Sequence, residues 1–425
     1  MTPAGVRLGL RENLAQFSLL IAVNAFVGAM VGLERSTLPL VGREDFGLSS
    51  SAAVVSFIAA FGLAKACTNL GAGAFAARAG RRRLLIAGWV VALPVPVLIA
   101  VAPSWSWIVA ANVLLGVNQG LAWSMTVVMK IDLVGPKRRG FALGLNEAAG
   151  YGGVALAAAA TGWLASTFAA RDVLVVAGAA IALAALALSV LFVRDTADHV
   201  ALEQAAHHAG DGAAAPPMRE AFPEATWRAP ALRSASQAGL VNNLNDALAW
   251  GLVPLFLAAH GAGPGAIGLV AGLYPAVWGA GQIWTGHWSD RVGRKPLIVA
   301  GMLLQAGALG VLALSAGAVA AAAVAAVALG AGTALVYPTL IAAISDAVAP
   351  VARAPMVGVY RFWRDMGYVA GALIAGLVAD ALGYGGAVGV VAGLTALSGL
   401  WVAFDMPPRP APAGLRPHRA GMTPS

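Results

Sequence analysis

A charge at the centre of a bilayer is expensive, about 2.5–3.5 kcal/mol for an arginine on insertion scales. Charged residues inside long apolar stretches therefore mark places where a solute, a proton or a partner charge is held. The stretch YRFWRDMGYVAGALIAGLVAD, residues 360–380, carries Arg361, Arg364 and Asp365 before turning small and apolar. Arg361 and Asp365 are four apart, a spacing at which helix neighbours pair, and Arg361 also has the length to snorkel to a nearby surface. In GLVNNLNDALAWGLVP, Asn242, Asn245 and Asp246 fall at i, i+3 and i+4, with Trp250 one turn on. This reads as one polar stripe facing water rather than lipid. Glu34 and Arg35 are adjacent, so they point about 100° apart and each needs its own partner. Lys65 and Asn69, then Asn112, Asn118 and Gln119, then Tyr337, add polar groups in other apolar stretches. The chemistry such groups can do is to bind a small solute and to exchange protons. Asp246 and Glu147 are the leading carboxylates for proton coupling.

Other chemistries lack their residues. There is no phosphate-binding glycine loop, no His-Glu-x-x-His and no Gly-x-Ser-x-Gly, so a soluble enzyme is disfavoured. Cys67 is the one cysteine, which removes disulfide frameworks and thiolate zinc sites. His199, His207 and His208 lie in a polar segment and read as solvated, so neither a metal site nor a cofactor is expected.

The elements that hold these residues are long apolar stretches. The chain is 59% hydrophobic and 11% charged, with mean hydropathy +0.78, far from the composition of soluble domains. Stretches of about 20 apolar residues, the length of a membrane-spanning helix, recur about twelve times, from residues 14–41 to 385–405. The first is too long for a signal peptide and contains Glu34 and Arg35, so it is expected to be retained. Short breaks such as GREDFG, APSWSW and GPKRRG separate the stretches.

Charge placement fixes the topology. With the N-terminus inside, about twenty of the 27 basic residues fall in loops on one side, and Arg43 and Arg171 alone fall on the other. The basic pI of about 10.1 is thus a topology signal, and no nucleic-acid partner is needed to explain it. Lys130 and Asp132 are expected to be exposed near the basic side, and Trp105 and Trp107 to form an interfacial belt on the other. Residues 195–229 read as a polar linker between an N-terminal bundle, 1–194, and a C-terminal bundle, 230–406. Residues 407–425 read as a disordered tail.

The chain also repeats. Asp132 and Asp346, Pro136 and Pro350, and Arg139 and Arg353 are each 214 residues apart, as are Gly116 and Gly330 and Gly144 and Gly358. Pro39 and Pro254 differ by 215. Two parallel six-helix repeats imply a pseudo-twofold axis along the membrane normal, with a site between the halves. The same 214-residue offset sets Glu147 opposite Arg361. A charge pair across the interface is therefore expected between Glu147 and an arginine of the eleventh span, with Gly144 and Gly358 allowing close approach.

The loop GHWSDRVGRKP, residues 286–296, and its first-half counterpart GAFAARAGRRR, residues 73–83, resemble the loop signature of the major facilitator superfamily. Gly286, Asp290, Arg291, Gly293, Arg294 and Lys295 match it, as do Arg78, Gly80 and Arg81, while Ala77 stands where the family has Asp. The fold this resemblance implies is an all-α polytopic membrane protein, with 12 transmembrane helices in two pseudo-symmetric six-helix bundles. The implied function is secondary active transport of a small-molecule substrate by alternating access, coupled to protons. Efflux antiport is slightly favoured on family frequency, uptake symport of a small organic anion is the closest alternative, and a non-transporting membrane receptor is the other. In the family the motif Asp latches the halves at the cytoplasmic side, so Asp290 is expected to reach the start of the fifth span. With Ala77 in the other half, the inner gate is expected to be asymmetric. The expected setting is the lipid bilayer of a bacterial inner membrane, with both termini cytoplasmic and the protein a monomer.

Overall fold

The computed structural model describes residues 6–135, 139–207, 216–349 and 352–407. Lys137, Arg138, His208 and the tail from residue 408 lie outside the described residues. Within them the chain is helical throughout: α1 (Leu14–Glu44), α2 (Ser51–Val54), α3 (Ser56–Ala79), α4 (Arg81–Ala92), α5 (Pro94–Val101), α6 (Trp105–Val134), α7 (Arg139–Leu164) and α8 (Ala170–Leu191) form the first half. After α9 (Ala197–His207) and α10 (Met218–Pro223), the second half comprises α11 (Pro230–Ala259), α12 (Pro264–Val292), α13 (Arg294–Leu314), α14 (Val319–Ala347) and α15 (Arg353–Asp405).

Nine helices among the described residues are long and apolar enough to cross a membrane. The 53 residues of α15 hold two crossings, because Gly383 breaks the helix with φ 74° and ψ 173°. Adding α7 and α11, of 26 and 30 residues, gives the twelve expected crossings. In the second crossing α2 runs into α3, and in the third α4 runs into α5, where Pro94 stands in the first turn. The linker is more ordered than its polarity suggests. Besides α9 and α10 it has a π turn at Glu224–Arg228, and Ala221 and Ala225 pack into the core beneath α11 and α15.

The repeat is visible in matched contacts. Arg81 Nε lies 2.6 Å from Asp132, and Arg294 Nε lies 2.9 Å from Asp346. Each pair ties the start of a half's third crossing to the end of its fourth. The turn before each arginine is made by Gly80 (φ 87°) and Gly293 (φ 96°), a backbone region that favours glycine. Both α1 and α11 contain an interior proline, Pro39 and Pro254. Each removes the helical hydrogen bond to the carbonyl four residues back, which belongs to Arg35 in one half and Trp250 in the other.

Two expectations fail at the ends of the bundle. Trp105 is not an interfacial anchor. It is buried against Phe46 and Phe57 and donates its Nε1–H to Ser56 Oγ at 3.0 Å, because the turn before α6 folds it inward. Trp107 is exposed. Lys130 and Asp132 are buried rather than exposed. Lys130 Nζ donates to the Leu20 carbonyl at 3.2 Å, and Asp132 also accepts from Thr196 Oγ1 at 2.6 Å.

Candidate functional site

The halves meet where α1 packs on α11 and α12, α2 and α3 on α15, and α7 on α12. Toward the face away from the basic loops the seam is tight. Gly162 of α7 faces Gly268 of α12 so closely that a Cβ on either would sit under 3 Å from the other's backbone. Asp380 of α15 accepts hydrogen bonds from Ser50 Oγ (2.6 Å), Ser51 N (2.5 Å) and Ala52 N (3.2 Å) across the seam, and Arg43 donates to Tyr384 Oη at 3.1 Å.

Below this closure lie two charged layers. In the first, Arg35 of α1 donates to both carboxylate oxygens of Asp246 on α11, at 2.6 and 2.9 Å. Tyr368 of α15 donates to Asp246 Oδ2 at 2.5 Å, and the Arg35 guanidinium lies 5.2 Å from the Trp250 ring. Arg35 and Trp250 are 215 residues apart, like Pro39 and Pro254, so the contact joins equivalent turns of the two halves. The bidentate geometry is the strong form of a carboxylate–guanidinium contact, and all four groups are buried.

In the second layer Asp365 of α15 is held from the other half. Asn69 Nδ2 donates to it at 2.5 Å and Lys65 Nζ lies at 3.5 Å, both from α3. Arg364 lies 3.5 Å from Asp365, donates to Tyr151 Oη of α7 at 2.9 Å, and packs 4.4 Å over Tyr337 of α14. Lys65 lies within 6 Å of the Phe61, Trp123 and Tyr368 rings. Toward the basic face the two halves separate. A Cβ on Gly144 would meet nothing within 4 Å, and one on Gly358 only Met218 of the linker helix α10. The second layer thus forms the wall of a cleft between the halves, and Arg361 and Ser124 also line it.

Glu147 lies beside this cleft. It accepts Trp123 Nε1–H at 2.9 Å and Asn146 Nδ2–H at 3.0 Å, both on Oε1. Its Oε2 is buried without a hydrogen-bond partner. The expected pairing with an arginine of α15 is absent: Arg364 goes to Asp365 and Tyr151, and Gly144 and Gly358 make no close approach. The charge pair across the seam is instead made by another helix, Lys65 of α3 to Asp365 of α15.

Several expected site residues stand elsewhere. Asn242 and Asn245 do not share the face of Asp246. Gln305 of α13 donates to Asn242 at 3.0 Å and accepts from Asn245 at 2.9 Å, and Thr395 of α15 donates to Asn245 at 2.8 Å. They knot the second half together: Asn245 points about 100° from its neighbour Asp246, and Asn242, four residues back, turns its amide to Gln305 instead of the seam. Asn118 and Gln119 likewise bind carbonyls within the first half, Gly88 and Val27, both at 2.9 Å. Asn112 donates to Ile108 at 3.2 Å. Glu34 faces away from the seam into an apolar crevice between α1, α5 and α8, beside Val95, Ile99 and Leu174.

In the loop signature, Asp290 does not reach α7. It is 63% exposed and pairs with Arg294 at 2.7 Å in its own half, since the halves stand apart at this face. Arg291 is exposed and Lys295 half-buried. The side chain of Arg78 and the surroundings of Gly286 lie outside the described residues. In the linker, burial draws His199 below the ordinary histidine range, opposed by Asp198, and its Nε2 lies 3.2 Å from Asn13 Oδ1.

Tyr151, Tyr368 and Ser124 belong to the site but were not among the expected site residues, whereas Asn69 was among the polar groups the sequence singled out. The tyrosines carry a legible signal: the chain has six, and Tyr151, Tyr274, Tyr337, Tyr360 and Tyr368 are all buried. A phenol that deep in an apolar span needs a polar partner.

Comparison with models of protein families matches the Major Facilitator Superfamily over residues 14–236 and 235–424.

Proposed function

The chain belongs to the major facilitator superfamily, and from that premise we propose that this integral membrane transporter carries a small organic anion together with a proton, by alternating access. The observation that carries the reading is the charge of the cleft between the halves. Lys65, Arg361 and Arg364 line it against a single carboxylate, Asp365. A cleft with this excess of cations attracts and holds an anion. Trp123, Tyr151 and Tyr337 beside the cations suit an anion with a planar or apolar body. Co-transport of a proton would offset the anion's charge in crossing the low-dielectric span.

We assign the basic loops to the cytoplasm by the positive-inside rule, with both termini there. On that assignment the Asp380 and Gly162–Gly268 contacts close the outer side while the cleft opens inward. Two repeats related by an axis along the membrane normal suit a rocking exchange of these closures. The cations of the cleft bear on the charge of the solute and not on its direction, so efflux antiport, expected from family frequency, is the second reading that the flux experiment separates.

The test is flux in proteoliposomes with an imposed pH gradient, using radiolabelled acetate, lactate, succinate and benzoate. Accumulation of any of these along the proton gradient supports the reading. Movement against the proton gradient would make the protein an antiporter. Transport of organic cations alone, or no flux of any solute, would overturn the assignment.

A further inference from the structure

Three buried carboxylates lie at or beside the seam, and they are not equivalent. Asp246 accepts three hydrogen bonds, two of them from Arg35. Asp365 accepts an amide at 2.5 Å on Oδ2, and its Oδ1, which accepts no hydrogen bond, has two cations at 3.5 Å. Glu147 has two donors on Oε1, while its Oε2 is buried with no hydrogen-bond donor, although the residue is 2% exposed; away from the seam, Glu34 Oε2 is bare in the same way. A buried carboxylate oxygen without a donor is costly, and a proton on that oxygen satisfies it.

We propose that Glu147 is the proton-binding carboxylate of this transporter and that Trp123 is the positioning residue that couples it to the anion cleft. This rests on the transport reading above but identifies a site that reading does not require. Trp123 has two faces to its role. Its Nε1–H donates to Glu147 Oε1, while its ring lies 5.3 Å from Tyr151 and 5.8 Å from Lys65. Tyr151 in turn accepts from Arg364. One indole therefore touches the proton site and the cations of the cleft.

The groups around Glu147 are few. Lys130 of α6, Tyr151 of α7 and Tyr337 of α14 are the titratable groups packed in its surroundings. Lys130 is committed to the Leu20 carbonyl. Asn24 of α1 donates to the Asn146 backbone at 2.7 Å and accepts from Thr126 at 2.8 Å. Arg361 and Arg364 of α15 line the same cleft as Trp123, Tyr151 and Tyr337, and Arg364 is held by Asp365 and Tyr151. When Oε2 takes a proton from hydronium, an O–H bond forms there, one breaks in the hydronium, and water leaves. The bond from Trp123 then loses its charge assistance, which frees the indole to shift against Tyr151 and Lys65. Deprotonation returns it.

The test needs no transported solute. Dicyclohexylcarbodiimide reacts with protonated carboxyls in apolar surroundings, and peptide mass spectrometry locates the adduct. On the full chain in liposomes, Glu147 is labelled at acidic pH, while Asp246 and Asp365 are spared. Trp123→Phe keeps a ring but removes the donor, so labelling of Glu147 at a fixed pH rises about tenfold, the equivalent of one charged hydrogen bond. Trp123→His restores a donor and lowers it again. An unlabelled Glu147 overturns the proton site. Equal labelling in wild type and both variants overturns the role of Trp123. Should Trp123→Phe fail to fold, Trp123→His alone carries the comparison, with labelling near wild type expected and a tenfold rise contradicting the idea. Failure of the anion flux experiment with Glu147 labelled would remove the substrate reading and leave the proton site.

Discussion

Arg35 of α1 grips Asp246 of α11 through both terminal nitrogens, at 2.6 and 2.9 Å, and so bolts one half of the molecule to the other at a fully buried point. Removing one partner leaves an uncompensated buried charge, which costs about 3–5 kcal/mol. Arg35→Ala and Asp246→Ala are each expected to lower the melting temperature of the purified protein sharply. The double variant Arg35→Ala/Asp246→Ala should be more stable than either single one. Additive losses in a double-mutant cycle would show that the pair does not hold the halves.

Asp380 offers a weaker bolt at the outer closure. Its carboxylate caps Ser51 N and Ala52 N from the opposite half. Asp380→Ala should lose about 1 kcal/mol, the usual worth of such a cap, and should favour opening of that face. In a Cys67→Ser background, a cysteine at Ala59 should react faster with a membrane-impermeant maleimide when Asp380 is replaced by Ala. Unchanged labelling would remove Asp380 from the gate.

The repeated pairs at the basic face differ in depth. The Asp132 side chain is 10% exposed against Arg81, and that of Asp346 is 44% exposed against Arg294. An exposed ion pair contributes roughly 0–1 kcal/mol, whereas a buried one leaves a stranded arginine when broken. Asp132→Ala should therefore destabilise by several times more than Asp346→Ala. Equal melting temperatures would mean that the two halves are held alike.

The cations of the cleft should separate by position. Lys65 is buried against Asp365 and three rings, while Arg361 is half-buried at the wall. Lys65→Met should abolish anion flux, and Arg361→Gln should raise KM about tenfold, as expected for a charge contact nearer the rim. Flux unaffected by both would leave the cleft without its substrate role.

The spans and the repeat were legible because they depend on composition and on one-dimensional spacing. Asp132 and Asp346, matched by offset alone, make the same contact in space. The buried charges were legible too, since Arg35, Asp246, Arg364 and Asp365 stand out in apolar sequence. Their pairing was not. Partner choice depends on how each helix is rotated and tilted, and 100° of rotation decides whether Asn245 or Asp246 faces the seam. Hence Asn242 and Asn245 bind Gln305 within their own half, and Asp365 takes Lys65 while Glu147 takes Trp123. The latch expected of Asp290 depends on how far apart the halves stand, which spacing along the chain does not encode.

The central claim is that the halves rock about the charged seam, closing one face as the other opens. Spin labels at the exposed positions Arg83 and Arg291 report the basic face, and labels at Thr167 and Ala318 report the opposite face. Electron–electron distance measurements in liposomes, with and without a transported anion at acidic pH, should move the two distances in opposite directions. Distances that stay fixed at both faces, or that lengthen together, would contradict the account.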